Sequence, residues 1–313
     1  MGTIISIASG KGGVGKSVIA SNLALQFSRQ GQKVVLVDLD IGGANLHILF
    51  GNLSPSPTLS DFLERHTDSL DDVVHTISWA DGLGYIPGTG NTLGGGNLLH
   101  SKKLRLLRHL KTLDADIVIL DCAPGTNYHT LDFFLAADFY VTVATPDPTS
   151  VIEVYRFIKL AAIRKAMTHL SIRLHGEIRQ SLVNQEFSNI QDVLEAFAPT
   201  NEVQKTEALA ILNTFHPYFI LNRANTNSKF STSSLQQVLL EFLGTELVVL
   251  GEIPQDDVVT HSIRNYLPVI DWAPTSPAST ALTQTFYALQ QRLLTQSPHG
   301  SPSTKILQQP IKN

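Results

Sequence analysis

The chain has 313 residues, 43% hydrophobic and 16% charged, with a net charge of −4 and one cysteine, Cys122. That length and apolar content suit one large α/β domain or two small ones. The lone cysteine excludes a disulfide framework and any zinc or iron–sulfur site ligated by cysteines within one chain. The mild negative charge gives no global pull towards nucleic acid, and no apolar run is long enough for a transmembrane helix. No basic n-region precedes the first apolar run, so no signal peptide is expected and a reducing cytoplasm is the natural compartment. The eleven histidines show no HxxxH or HExxH spacing and read as ordinary surface or core residues.

Thr3 to Ala8 is an apolar run that predicts a buried strand. Gly10-Lys11-Gly12-Gly13-Val14-Gly15-Lys16-Ser17 follows, and the apolar spacing from Val18 to Phe27 predicts a helix. Strand, glycine loop, lysine, hydroxyl and helix are the parts of a phosphate-binding P-loop. Its glycines let backbone N–H groups converge on phosphate oxygens, and the helix N-terminus adds partial positive charge. In that role Lys16 pairs with the β/γ-phosphates and the Ser17 hydroxyl holds Mg²⁺, with Gly10 to Val18 as the cradle. Gly10-x-Gly12-x-x-Gly15 also satisfies a dinucleotide fingerprint, with Asp38 where the ribose-binding acid belongs. Lys16-Ser17 decides for a nucleoside triphosphate, because a dinucleotide loop has no use for either group.

Lys33 to Val37 predicts a second strand ending in Asp38-Leu39-Asp40, where open α/β sheets bind ligands. The glycine pair in Ile41-Gly42-Gly43-Ala44-Asn45-Leu46 predicts a mobile loop. Pro55 and Pro57 mark a surface connection, Leu59 to Leu63 a short helix, and Leu83 to Gly88 a third strand and turn. Asn91 to Asn97 predicts a flexible loop. Residues 102–111 predict a basic amphipathic helix whose stripe is Leu104, Leu107 and Leu110, with Leu106 and Leu113. Its bland reading is a solvated helix packed on the sheet; the alternative is a docking face for an acidic partner, lipid or DNA. Ile117-Val118-Ile119-Leu120 then runs into Asp121, a Walker B pattern whose carboxylate serves Mg²⁺ through its water shell. Cys122 has no nearby base and reads as a buried, inert thiol.

Phe139 to Ala144 predicts another strand, and Thr149 or Ser150 is expected to cap a long helix reaching about Lys165. Residues 167–214 contain no β-rich run and read as a helical insertion. Tyr218 to Leu221 returns to the sheet and ends at Asn222-Arg223; Leu247 to Gly251 is a further strand, followed by Ile253-Pro254-Gln255-Asp256. The last helix spans about Ser279 to Leu294, with Leu282, Phe286, Leu289 and Leu293 on one face. The Ser- and Pro-rich tail from Ser297 is expected to be disordered. The alternation predicts a single domain over 1–296: a doubly wound, mainly parallel sheet of seven or eight strands with right-handed crossovers.

With Lys11 in place, the loop resembles the deviant Walker A motif, K-G-G-x-G-K-[ST], of the MinD/ParA family of dimerising ATPases. Asp38-Leu39-Asp40-Ile41-Gly42-Gly43-Ala44-Asn45-Leu46 resembles the family's D-x-D-x-G-x-x-N-L switch, and Asp121-Cys122-Ala123-Pro124-Gly125 its Walker B and second switch. Asn222-Arg223 and Ile253-Pro254-Gln255-Asp256 resemble the adenine-reading N-R and the I-P-x-D that closes over the base. The G-G-A-N-L-H run and the helix from Tyr155 to Lys159 are similar to the FlhG/FleN branch, which sets flagellar number and position. The resemblance implies Mg-ATP binding and slow hydrolysis coupled to formation of an ATP-dependent homodimer, used as a spatial or regulatory switch. Lys11 would reach the partner's ATP like an arginine finger. Asp40 would orient or activate the attacking water with Asp38 in support, and Asp121 would sense the metal held with Ser17 and Asp40. Asn222, Arg223, Pro254 and Asp256 would hold the base. The implied partners are a second copy, a regulatory or activating protein, and the cytoplasmic face of the membrane, although the end from Lys305 to Asn313 is short and broken by Pro310 for an interfacial helix. The rival is a ParA-like partitioning protein on nonspecific DNA. An Mrp-type metal-cluster carrier needs a late C-x-x-C, and a tyrosine kinase of this loop type needs a tyrosine cluster in the tail from Ser297; neither is present.

Overall fold

Strands buried on both faces read as unbroken aliphatic runs, and those runs form the centre of the sheet. The computed structural model describes residues 2–88, 98–169, 187–197, 202–225 and 230–296. Its strands are β1 (Thr3–Ala8), β2 (Val34–Leu39), β3 (His75–Thr76), β4 (Leu83–Ile86), β5 (Ile117–Cys122), β6 (Phe139–Ala144), β7 (Pro217–Ala224) and β8 (Val248–Pro254). They form one sheet in the order β3-β4-β2-β5-β1-β6-β7-β8. Every neighbouring pair is parallel except β3–β4. The helices are α1 (Lys16–Arg29), α2 (Leu59–Leu63), α3 (His100–Leu110), α4 (Tyr128–Phe134), α5 (Pro148–His169), α6 (Ile190–Phe197), α7 (Glu202–Leu212), α8 (Thr232–Leu243), α9 (Asp257–Arg264), α10 (Val269–Trp272) and α11 (Pro277–Gln296).

Side chains alternate between two cores, as the two-residue period of a strand requires. Ile4, Val35, Val37, Val118 and Leu120 pack with Leu106, Phe134 and Phe157 from α3, α4 and α5. Ile5, Ile7, Leu36 and Ile119 face the other way, onto Ile19 and Leu23 of α1 and Leu282, Phe286 and Leu289 of α11. Phe27 and Phe286 close that second layer edge to face, with ring centroids 4.8 Å apart. The apolar face predicted for the last helix is therefore the buried one.

Two local expectations are corrected. The stripe of α3 runs through Lys103, Leu106 and Leu110, whereas Leu104 is 45% exposed. Lys103 takes the inward place because its ammonium pairs with Asp132 of α4, which also accepts from Arg164 of α5 through Nε at 2.8 Å and Nη2 at 3.1 Å. Thr149 and Ser150 do not cap α5: the helix starts at Pro148, the residue whose missing N–H suits a first turn. Ser150 Oγ instead accepts from the Thr145 amide at 3.0 Å. Within the expected helical insertion, α6 and α7 pack against α5. The expected loop at Asn91 to Asn97 and the tail from Ser297 lie outside the described residues. Among the described residues no helix is long and apolar enough to cross a membrane.

Candidate functional site

In an open parallel sheet the carboxyl ends of the strands are where ligands bind. Here the carboxyl ends of β5 and β7 carry Asp121 and Asn222 to that edge, and the segments after β1, β2 and β8 bring Gly10–Ser17, Asp40 and Asp256. The loop after β1 is fixed at both ends by close approach. A Cβ on Gly10 would overlap the Glu153 carbonyl of α5, and one on Gly15, at φ +93°, would overlap the Asn222 amide. Gly15 is also the N-cap of α1 and supplies no side-chain acceptor, so the first N–H groups of α1 stay open for an anion. Lys16, the first residue of α1, is buried.

The carboxylates come next. Asp38 and Asp121 are register partners on the parallel pair β2–β5. Both are buried, so burial first and mutual repulsion second push Asp38 up to about 7. Its oxygens accept from the Asp40 amide at 3.0 Å and the Leu46 amide at 3.1 Å, so Asp38 shapes the turn that presents Asp40. Burial also raises Asp121, to about 6, against the pull of the Ser17 hydroxyl and the charge of Lys16. Asp40 is half-buried; burial raises it and Lys16 opposes the rise. Burial pushes the Cys122 thiol far up, which leaves it protonated and inert.

One atom tests the fit to a metal. Asp121 Oδ1 is buried with no hydrogen-bond partner. Such an orphan costs free energy unless a donor or cation meets it. With the Ser17 hydroxyl and Asp40 it forms a hard-oxygen set that suits Mg²⁺, which keeps several waters and takes other ligands from phosphate. Among the described residues no group of three or more His, Cys, Asp or Glu could hold a metal alone.

The two lysines of the loop part company. Lys11 is exposed, and its Nζ donates to Thr149 Oγ1 at 3.1 Å at the start of α5. Ser9 Oγ donates to the Lys11 carbonyl at 2.6 Å, and the Ser9 carbonyl accepts from the Gly125 amide at 3.1 Å. The backbone that carries Lys11 is therefore tied to the segment following Asp121.

Beside the loop, a cleft of about 240 Å³ lies between β7, β8, α9 and α1. Val18, Ile253, Val259 and Ile263 give it apolar walls, with Asn222 and Arg223 at its polar side. Asn222 Nδ2 donates to the Val14 carbonyl at 2.8 Å, locking the loop to the cleft. Arg223 sits at an irregularity of the β7–β8 ladder with φ +54°, a left-handed turn that sets its side chain apart from the strand's alternation. Asp256 lines the cleft, but its carboxylate accepts from the Val258 amide at 3.0 Å and the Ala278 amide at 3.2 Å, capping α9 and steadying the start of α11. A narrow slot with apolar walls and one polar side suits a planar heterocycle. The fold thus brings the candidates from the ends of all five strands to one edge. Sequence reasoning passes over Ser9, Thr149 and the Leu46 amide as participants. Thr149 lies 138 residues from Lys11 and no local pattern announces it, whereas the four-residue spacing of Val259 and Ile263 is a readable sign of an apolar wall.

Residues 1–172 match the ParA family model, described as NUBPL iron-transfer P-loop NTPase. The chain is 26% identical over 299 residues to the antiactivator FleN of Pseudomonas aeruginosa, spanning 95% of this chain and 89% of that one. It is 32% identical over 172 residues to the flagellum site-determining protein YlxH of Helicobacter pylori, spanning 51% and 54% of the two chains. The solved structure of the septum site-determining protein MinD complexed with Mg-ADP from Pyrococcus horikoshii superposes with a TM-score of 0.65 at 22% identity, over 96% of this chain and all of that one. At that identity the likeness concerns the fold.

Proposed function

Because the chain belongs to the ParA family of P-loop NTPases, we propose that it binds Mg-ATP, dimerises in the ATP state and hydrolyses ATP slowly as a spatial or regulatory switch. The names of FleN and YlxH support a role of the flagellar regulatory or site-determining kind. The observation that carries the reading is the division of labour in one loop: Lys16 buried beside Asp40 and Asp121, Lys11 exposed on the rim.

Phosphoryl transfer asks a protein for positioning and charge neutralisation more than for covalent chemistry. The amides of residues 12–17 and the Lys16 ammonium hold the phosphates. Ser17, Asp40 and Asp121 would hold Mg²⁺, which supplies neutralisation of the β- and γ-oxygens. Asp40, on the turn that Asp38 shapes, orients the attacking water and accepts its proton. The Asn222–Arg223 cleft takes the base. Lys11, whose ammonium makes one exposed hydrogen bond among the described residues, reaches the ATP of a second copy and completes the charge there. Ser9 and Gly125 couple that lysine's backbone to the segment after Asp121, so the nucleotide state and the dimer are read together.

Lys11→Ala tests this reading. It should retain ATP binding by equilibrium dialysis but lose both ATP-dependent dimerisation in light scattering and turnover; unchanged turnover would sink the trans-acting lysine. A second reading, DNA partitioning, is favoured only by the basic residues of α3. Phosphate-driven binding must weaken steeply with salt, so gel shifts at two salt concentrations decide it.

A further inference from the structure

Well away from the nucleotide loops, α3 and the turn after α2 enclose a concavity of about 580 Å³ lined by Arg65, Asp68, Arg105, Arg108, His109 and Thr112. Its arginines are of two kinds. Arg105 is built into the fold: its guanidinium lies 3.9 Å over the Phe62 ring and donates to the carbonyls of Phe62, Thr67 (3.0 Å) and Asp68 (3.1 Å). That clamp spends its donors on main chain, and among the described residues its charge pairs with no carboxylate. Arg65 and Arg108 are exposed, and neither makes an ion pair among the described residues. Arg65 stands in the left-handed region at φ +65°, a conformation that disfavours side chains and is held here by the clamped turn. Leu104, one turn before Arg108 on the same outer face, is 45% exposed. The inner face of the helix is pinned by Lys103 and Asp132 and, through Asp132, by Arg164. The basic face is therefore rigid before anything meets it, which lowers the ordering cost of binding.

From this geometry we propose that the concavity and the outer face of α3 dock a short acidic segment of a partner protein, its carboxylates entering between Arg65 and Arg108 and an aliphatic side chain covering Leu104. Guanidinium forks match carboxylates in a bidentate way that an ammonium surface does not. The surroundings choose a peptide over an extended polyanion. Exposed Glu64 pairs with Lys102 near the start of α3, and exposed Asp71 accepts from the Asp114 amide beyond its end. A flat anionic bilayer or a duplex laid along α3 meets those carboxylates, whereas a narrow segment entering the pocket meets Asp68 alone against Arg65, Arg105 and Arg108. This surface is separate from the nucleotide site, so its test is independent of the ATPase reading.

The experiment is fluorescence anisotropy of the full chain with a fluorescein-labelled peptide of repeating Glu-Glu-Leu units, in low and moderate salt. Saturable binding that weakens with salt is expected. Arg65→Glu with Arg108→Glu should weaken it about tenfold or more, Leu104→Ser should weaken it less, and Arg292→Glu on α11 should leave it unchanged. Both arginines are exposed, and an unchanged melting temperature of the double variant confirms that it folds. The proposal is overturned if the wild-type chain shows no saturable binding, or if Arg292→Glu costs as much as the double variant. It is equally overturned if vesicles of phosphatidylglycerol or a DNA duplex bind more tightly than the peptide through the same two arginines.

Discussion

Asp38→Asn offers a direct measure of the electrostatics of the site. In the wild type Asp38 lies beside Asp121 and is raised from 3.8 to about 7, by burial and then by that neighbour. The folded state therefore holds a proton that the unfolded chain has already lost. Stability from this group is full below the unfolded value and falls away as pH rises through the folded one, a window of about pH 4 to 7. Such a change is worth at most about 4 kcal/mol. The amide cannot take all of that gain, because Asp38 accepts from two backbone amides and Asn can satisfy only one with its oxygen. The lost acceptor costs about 1 kcal/mol. In the absence of nucleotide the variant should thus be about 1 kcal/mol less stable than wild type near pH 3, cross it near about pH 4.5 to 5, and be about 1–3 kcal/mol more stable near pH 8.5. His47 and His129, both lowered mainly by burial, add stability as pH rises through the same region. Comparing variant with wild type at each pH cancels them. Urea denaturation across the range measures the difference, and a difference of constant sign and size would refute the reasoning.

Gly15→Ala should lose about 1–3 kcal/mol, because it places a Cβ on a left-handed backbone and into the Asn222 amide. The shift in melting temperature on adding Mg-ATP should vanish with it. A variant that keeps its wild-type nucleotide response would show that the contact between the loop and Asn222 is dispensable. Asp132→Ala should cost about 3–5 kcal/mol in urea unfolding, since it leaves the buried Lys103 and the half-buried Arg164 facing each other without their shared carboxylate. A loss below about 1 kcal/mol would mean that this triad is solvated in solution.

The central strands were readable because burial on both faces leaves no reason for a polar residue in Val34–Val37 or Ile117–Leu120. The same rule marks Asp38 and Asp121 as exceptions with a purpose. β3 and α10 are two and four residues long, below the length at which any periodicity can show. α3 illustrates a different limit. Leu104, Leu106, Leu107 and Leu110 span nearly half of the helix circumference, about 160°, so the leucines alone do not choose the buried face. An aspartate on another helix chooses it by accepting Lys103. Asp256 shows a third limit. Its place after Ile253-Pro254 suggests a base-closing residue, but its carboxylate is committed to the Val258 and Ala278 amides, and one of these belongs to a helix that starts some twenty residues later. Backbone donors leave no mark on side-chain patterns.

The contacts around α5 bear on how readily the proposed dimer forms. Gly10 packs against the Glu153 carbonyl so closely that no side chain fits, which fixes the base of the loop to this helix. One residue later, Lys11 is exposed, and among the described residues its ammonium is held by the Thr149 hydroxyl alone, at 3.1 Å. An exposed bond of this kind contributes at most about 0.5–1.5 kcal/mol once exchange with water is counted. Transferring Lys11 to the phosphates of a second copy therefore costs little, and a charge-assisted bond to phosphate returns more than was given up. The loop can keep its own cradle intact while its outer lysine changes partners. The fixed glycine and the lightly held lysine next to it are what the proposed two-subunit switch requires.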